Sequence, residues 1–272
     1  MQRKSSSCSL VSPTIFELLT DDIDTPRAGA WNMALDHALL ESVQHSPRAV
    51  LRLYRWQPAC LSLGRNQPAR GQYDEAAARA LGMDIVRRPT GGMAVLHDGE
   101  LTYAVVAPVD LLGGPRASYR AINAALVAGL QKLGAPAELA PGGKRSPFGA
   151  VHPCFAEPAA GEVVARGLKL VGSAQRCEKR ALLQHGSILL DGSQDAVQQI
   201  ARVPFDLAGR ATTLTALLGA PPDPASLAQS IAAGFAKVTG YHIEAGKLDR
   251  RTAERASELE ALYRSADWTW RR

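Results

Sequence analysis

Apolar residues recur along this chain at two different spacings. From Trp31 to Leu40, Trp31, Ala34, Leu35, Ala38 and Leu39 fall on one stripe at helical spacing. Two strands follow. In LRLYRW (51–56) Leu51 and Leu53 alternate with Arg52 and Tyr54, and in CLSLG (60–64) Leu61 and Leu63 alternate with Cys60 and Ser62, with Pro58 in the turn between. Met83 to Pro108 reads as strand, turn, strand, turn, strand: Ile85-Val86 enters, Pro89–Gly92 turns, Met93–Leu96 returns, His97–Glu100 turns again and Leu101–Ala107 returns. Residues 118–133 carry Ile122, Ala125, Leu126, Gly129, Leu130 and Leu133 on one helical face, with Gly134 as the stop. After the loop PGGKRSPFG (141–149), two strands are expected about Gly167, over Glu162–Ala165 and Leu168–Val171, and a third over Gly186–Leu190. The last third reads as helical. Asp223-Pro224 is an N-cap and first-turn pair opening a helix through Leu227, Ile231 and Phe235 that Gly240 closes, and residues 252–264 form a charged helix.

Strands that mostly follow one another without helices between them predict an α+β fold, with a mixed or mostly antiparallel central sheet flanked by helices. Residues 1–13 are polar and Ser-rich, as expected of a frayed arm. With 272 residues, 46% hydrophobic and 21% charged, the chain can bury a sizeable core, which excludes a disordered or collagen-like polypeptide. No run approaches the roughly 18 apolar residues of a membrane span, and the N-terminus lacks the apolar stretch of a signal peptide. Lys and Arg number 31 against 26 Asp and Glu, a net charge of +5, too slight an excess to imply nucleic acid without a matching motif. The four cysteines (Cys8, Cys60, Cys154, Cys177) form no CxxC pair and no disulfide framework; a reducing cytoplasm is expected.

Three stretches can carry chemistry. In RRPTGGMAVLHDGELTY (87–103), Gly91 and Gly92 let a ligand approach the backbone, and Arg87 and Arg88 either hold an anion or are solvated residues beside a turn. In GLKLVGSAQR (167–176), a strand ending at Gly172-Ser173-Ala174 presents N–H groups to a carbonyl oxygen or an anion. Lys169 there faces away from Leu168 and Leu170, either toward that site or, as an edge-strand lysine, into water. In VHPCFAEP, Pro153 and Pro158 bracket Cys154, which is either an inert buried thiol or a nucleophile activated by Lys169, His152 or His185. His97, His152 and His185 lack the HxH, HExxH or CxxC spacing of a metal site, and Ser173 and Ser187 lack a GxSxG elbow.

Taken in order, NMALD (32–36), RRPTGGMAVLHD (87–98), KLVGSAQR (169–176) and QHGSILL (184–190) resemble the lipoate/biotin protein ligase and octanoyltransferase superfamily over about residues 31–240. Within it, the PCF segment and the ordered motifs are most similar to octanoyltransferases of the LipM type. The resemblance implies the biotin/lipoate ligase catalytic-domain fold over residues 14–245, followed by a helical extension over 246–272. It also implies transfer of an octanoyl group from acyl carrier protein, through a cysteine thioester, to a lysine of a lipoyl domain such as the glycine-cleavage H protein. On that pattern Cys154 is the nucleophile and Lys169 the residue that lowers its pKa. Arg88, Gly91, Gly92, His97, Gly172, Ser173, Ala174 and His185 bind substrate. No cofactor, metal or ATP is needed, because the thioester is already activated, and the chain is expected as a monomer with no nucleic-acid or membrane partner. Met93 stands where the pattern has a third glycine or an arginine, Ala160-Gly161 where it has a Ser–aromatic pair, and His37 where an acidic residue is common.

Two other readings compete. An ATP-dependent lipoate-protein ligase shares the RRxTGG and Lys-containing motifs but needs no nucleophilic thiol, and a non-catalytic acyl- or lipoyl-binding regulator could use the same scaffold. The basic residues flanking the motifs (Arg65, Arg70, Arg87, Arg88, Lys144, Arg145, Arg166, Arg176, Lys179, Arg180) either dock acidic carrier domains or form a scattered solvated face.

Overall fold

The computed structural model describes residues 15–46, 48–141, 160–203 and 209–272. The expected arm 1–13, with Cys8, and the segment holding Lys144, Arg145, His152 and Cys154 lie outside the described residues.

An eight-stranded sheet forms the centre. Its strands are β1 (Ile15–Leu19), β2 (Ala49–Tyr54), β6 (Glu100–Pro108), β7 (Ala137–Leu139), β8 (Val163–Ala165), β9 (Leu168–Glu178), β10 (Ala181–Leu189) and β11 (His242–Ala245). They lie in the order β11-β1-β2-β6-β10-β9-β8-β7. β1 is parallel to both β2 and β11, and every other neighbour is antiparallel, so the sheet is mixed and mostly antiparallel as expected. A second sheet has β3 (Cys60–Leu63) between β4 (Asp84–Arg87) and β5 (Val95–His97). The consecutive strands read from residues 83–108 are therefore not hairpin partners: β4 and β5 flank β3, and β6 belongs to the large sheet.

Helices cover the large sheet on both faces. On one side lie α4 (Pro115–Lys132) and α6 (Pro224–Thr239), whose Ile122, Leu126, Leu130, Ile231 and Phe235 join Leu51, Leu53, Tyr103 and Val105. On the other lie α2 (Gly29–His45) and α7 (Arg250–Arg264), with Ala34, Leu35, Leu39 and Leu259 against Val50, Tyr54, Ala104 and Val106. The period-two alternation of β2 and β6 thus divides residues between two cores rather than between core and water, and all six residues of β2 are buried. Arg52 at such a position is 1% exposed, and it survives there because Asp36 and Asp22 both pair with its guanidinium.

Shorter helices complete the chain: α1 (Asp21–Asp24), α3 (Glu75–Ala80), α5 (Leu214–Leu218) and α8 (Ala266–Thr269), with a 3-10 turn at Gln194–Gln199. α6 follows its sequence cues closely. The Asp223 side chain accepts the Ser226 N–H, Pro224 opens the first turn, and Gly240 at φ +74° ends it. The last third is not wholly helical, because β11 enters the sheet beside β1. α7 packs on α2, and α8 on β4.

Candidate active site

Where the two sheets meet lies a partly open cavity, whose walls leave about 350 Å³ between them when the solvent at its mouth is included. Met33, Tyr54, Trp56 and Val95 supply apolar wall; Gly172, Ser173, Ala174 and Gly186 form a wall of small residues. The remaining wall is polar: Ser62, Arg88, His97, Thr102, His185 and Ser187. Six of the residues singled out from sequence as substrate-binding, namely Arg88, His97, Gly172, Ser173, Ala174 and His185, therefore meet around one space. Gly91 and Gly92 do not line it. They shape the adjoining turn, where Gly92 has φ +88° and its carbonyl oxygen lies 1.8 Å from where a Cβ on Gly64 would be.

Neither arginine before that turn is solvated. Arg87 is fully buried and donates to the carbonyls of Thr269, Gly64 and Gln67. Arg88, 3% exposed, donates to Ser62 O at 2.8 Å, Gly91 O at 2.7 Å and Met93 O at 2.7 Å. Five-donor guanidinium groups suit this work, because each satisfies several carbonyls that a turn leaves without partners.

Two buried histidines face the cavity, each oriented by a carboxylate. His97 stacks on Trp56, with ring centroids 3.9 Å apart and 13° between planes. Its Nδ1–H donates to Glu100 Oε1 at 2.8 Å, and its Nε2 lies 2.8 Å from the Ser62 hydroxyl, which itself accepts from Arg88. Trp56 Nε1 donates to Thr102 Oγ1 at 2.7 Å, and Thr102 donates to Glu100. His185 donates from Nδ1 to Asp36 Oδ2 at 2.8 Å and takes the Thr90 hydroxyl on Nε2 at 2.6 Å. Burial lowers the His185 pKa further than Asp36 raises it, so the ring is neutral and Nε2 is an acceptor. Burial pushes the Asp36 carboxyl up, but the His185 hydrogen bond and the Arg52 charge outweigh it and hold the group below its ordinary range. Tyr54 OH donates to the same carboxylate at 2.9 Å.

On β9, Lys169 is 1% exposed, and its Nζ lies 2.7 Å from Glu162 Oε2. It is neither an edge-strand lysine nor in water: β9 runs between β8 and β10. The strand also continues past the expected end at Gly172–Ala174, to Glu178. Ser187, Gly186 and His185 of β10 pair with Gly172, Ser173 and Ala174 along one edge. Pairing with β8 stops at Val171, so the other edge of these three residues has no partner strand among the described residues. Close approach fixes this crossing: a Cβ on Gly186 would stand 2.2 Å from Gly172 O. The Ser173 hydroxyl bonds Tyr103 OH at 2.7 Å, and Gln184 Nε2 reaches both Tyr103 OH and Asn123 Oδ1 at 3.0 Å. Asn123 in turn donates to Gly161 O at 2.8 Å, which ties α4 to the residue before Glu162.

Sequence reasoning placed Lys169, His97 and His185 but gave no role to Trp56, Ser62, Thr90, Glu100, Thr102, Tyr103 or Gln184. The one available signal was a polar side chain recurring inside otherwise apolar strands. Cys60 is buried in β3, where burial pushes its thiol well up; Cys177 is exposed, with a thiol raised by partial burial. Neither has the electropositive setting of a nucleophile. Among the described residues no group of three His, Cys, Asp or Glu side chains could hold a metal ion, and no helix is long and apolar enough to cross a membrane.

The family model for the lipoyl protein ligase A/B catalytic domain matches residues 28–236. An octanoyltransferase LipM from Kyrpidia tusciae is 40% identical over 264 residues, covering 90% of this chain and 96% of that protein. Another, from Symbiobacterium thermophilum, is 38% identical over 265 residues, with the same coverage of 90% and 96%. Among solved structures, a lipoate-protein ligase A bound with ATP superposes with a TM-score of 0.78 at 24% identity, covering 95% of this chain and 98% of that one, a likeness of fold.

Proposed function

This chain belongs to the lipoyl protein ligase A/B catalytic-domain family, and we propose that it is an octanoyltransferase of lipoate biosynthesis working through a thioester on Cys154. The observation that carries the reading is the 40% identity, over nine-tenths of the chain, to a protein of that activity. The donor is octanoyl-acyl carrier protein, the acceptor a lysine of a lipoyl domain, and the enzyme a cytoplasmic monomer.

The chemistry divides into two exchanges at one sulfur. The Cys154 thiolate attacks the donor thioester carbonyl, the new C–S bond forms as the carrier's C–S bond breaks, and the carrier's sulfur leaves as a thiolate that takes up the proton Cys154 lost on ionising. The acceptor lysine, as the neutral amine, then attacks the acyl-enzyme; an amide forms, and the Cys154 sulfur is released and reprotonated. In this reading Lys169 supplies the cation that favours thiolate over thiol, and Glu162 holds that cation in place. The cavity between Met33, Tyr54, Trp56 and Val95 receives the acyl chain, at about 0.8 kcal/mol per buried methylene. The edge of Gly172–Ala174 that no described strand pairs offers backbone N–H groups to the oxyanion that develops at the carbonyl.

Intact-protein mass spectrometry tests it. Mixed with octanoyl-acyl carrier protein, the wild type is expected to gain one octanoyl unit, sensitive to hydroxylamine and lost on adding an apo lipoyl domain. Cys154→Ser should gain no hydroxylamine-sensitive adduct and transfer nothing. Lipoylation by that variant with lipoate and ATP would instead identify a ligase.

A further inference from the structure

Outside the cavity, the described residue most at odds with its surroundings is Arg87. It is fully buried, its Nη2 has no hydrogen-bond partner among the described residues, and the charges that act on it are other arginines. Burial, then Arg271, Arg272 and Arg88, bring its pKa down to about 10. Arg271 is likewise lowered, by burial and by Arg65, Arg272 and Arg176, and its Nε is buried without a partner among the described residues. Arg176 is lowered by burial and by Arg65.

These guanidinium groups are brought together by the segment after α8. Trp268 donates from Nε1 to Arg87 O at 2.8 Å, and two cations lie over its ring, Arg271 at 4.0 Å and Arg65 at 5.8 Å from the centroid. Arg271 also donates to Arg65 O, and the Arg272 carbonyl accepts the N–H groups of Ala69 and Arg70. The cluster abuts the cavity through one dipeptide. Arg65 N–H donates to Thr90 O at 2.7 Å, Arg176 Nη1 to Pro89 O at 3.4 Å, and the Thr90 side chain bonds the cavity-lining His185. Of Arg65, Arg176, Arg271 and Arg272, only Arg176 forms an ion pair among the described residues, with Glu178. Holding so many like charges at one place costs stability that an anion recovers, and guanidinium forks match phosphate oxygens in pairs.

We infer that Arg65, Arg176, Arg271 and Arg272 form a phosphate-binding site beside the acyl cavity that takes the phosphodiester of the donor's pantetheine arm. The inference rests on the octanoyltransferase reading for its ligand, and on the arginine cluster for its place. Arg271 and Arg272 make the site depend on a segment beyond the 28–236 match to the family.

The test compares three acyl donors, octanoyl-pantetheine, octanoyl-4′-phosphopantetheine and octanoyl-acyl carrier protein, by the second-order rate of Cys154 acylation. Alongside runs direct binding of acyl-free 4′-phosphopantetheine by calorimetry. A charge-assisted contact is worth about 1.5–3 kcal/mol, so the wild type should favour the phosphorylated small donor over octanoyl-pantetheine by roughly 10–100-fold. In Arg65→Gln and Arg271→Gln that ratio should fall to within about threefold, with Arg271→Lys between. Arg272→Gln, at an exposed side chain, gives the same readout with little risk to folding. Equal rates for the two small donors in the wild type would overturn the inference, as would a preference that persists in all three glutamine variants. A preference confined to the intact carrier protein would also overturn it and assign the arginines to an acidic protein face. If no donor acylates Cys154, the octanoyltransferase reading fails, and calorimetry still decides the site: binding lost in the variants supports it, and no binding to the wild type rejects it.

Discussion

Lys169 Nζ lies 2.7 Å from Glu162 Oε2, with neither side chain more than a few per cent exposed. Glu162 directly precedes β8, so the carboxylate reaches the lysine from the neighbouring strand, where Val164 pairs with Lys169. The ammonium is thus aimed by a partner built into the sheet rather than left to its flexible stem. Glu162→Gln keeps the shape and removes the charge. Cys154 acylation should slow by roughly 10–100-fold, the scale of a misplaced catalytic group. Single-turnover mass spectrometry reads this, with Glu162→Asp recovering part of the loss; an unchanged rate would show that the carboxylate does not position Lys169.

The Thr90–His185–Asp36–Arg52 chain makes stability depend on pH. His185 has a folded pKa below its ordinary 6.5, so the unfolded chain takes up that proton first and stability falls as pH drops through about 6.5. Asp36, held below its ordinary 3.8, adds stability that persists above that value and is lost on further acidification. Thermal melts should therefore show Tm falling between about pH 7 and pH 5.5, and His185→Gln should flatten that limb. Asp36→Asn weakens a buried ion pair and should cost about 3 kcal/mol.

Gly186→Ala should be poorly tolerated. The added methyl would stand 2.2 Å from the Gly172 carbonyl oxygen and 2.8 Å from Tyr103, and the first of these is backbone. Either β9 and β10 separate or the cavity wall deforms, for about 1–3 kcal/mol of stability and a loss of acylation. Chemical denaturation and the acylation assay check both.

Ser187 makes the opposite case. Its hydroxyl is buried on the cavity wall without a hydrogen-bond partner among the described residues. Ser187→Ala should leave stability unchanged or raise it by up to about 1 kcal/mol, since no bond is lost. If kcat/KM falls while Tm does not, the hydroxyl contacts substrate.

What the sequence disclosed depended on whether a local cue existed. α6 was legible because its cap, its first-turn proline, its apolar stripe and its terminal glycine agree. β11 was not: four residues with no clean alternation of burial are held by pairing with a strand more than two hundred residues earlier. β9 was cut short because Gly172, Ser173 and Ala174, with little side chain to mark alternation, read as the end of the strand, while β10 holds them in line. The site divides in the same way. Ordered motifs carried His97, His185 and Lys169, but Thr90, His185 and Asp36 join across long separations, and nothing local marks that contact. The carbonyl-holding role of Arg87 and Arg88 escaped for another reason: an arginine beside glycines looks exposed until the carbonyls that need it are in place.

The pairing of β1 with both β2 and β11 bears on how the chain is made. During translation, Ile15–Leu19 is made more than two hundred residues before His242–Ala245. Until then the outer side of β1 is a bare hydrogen-bonding edge of the kind that recruits other chains. Ribosome-stalled products ending before β11 should be prone to coaggregation, and synthesis of β11 should be the event that covers this side of β1.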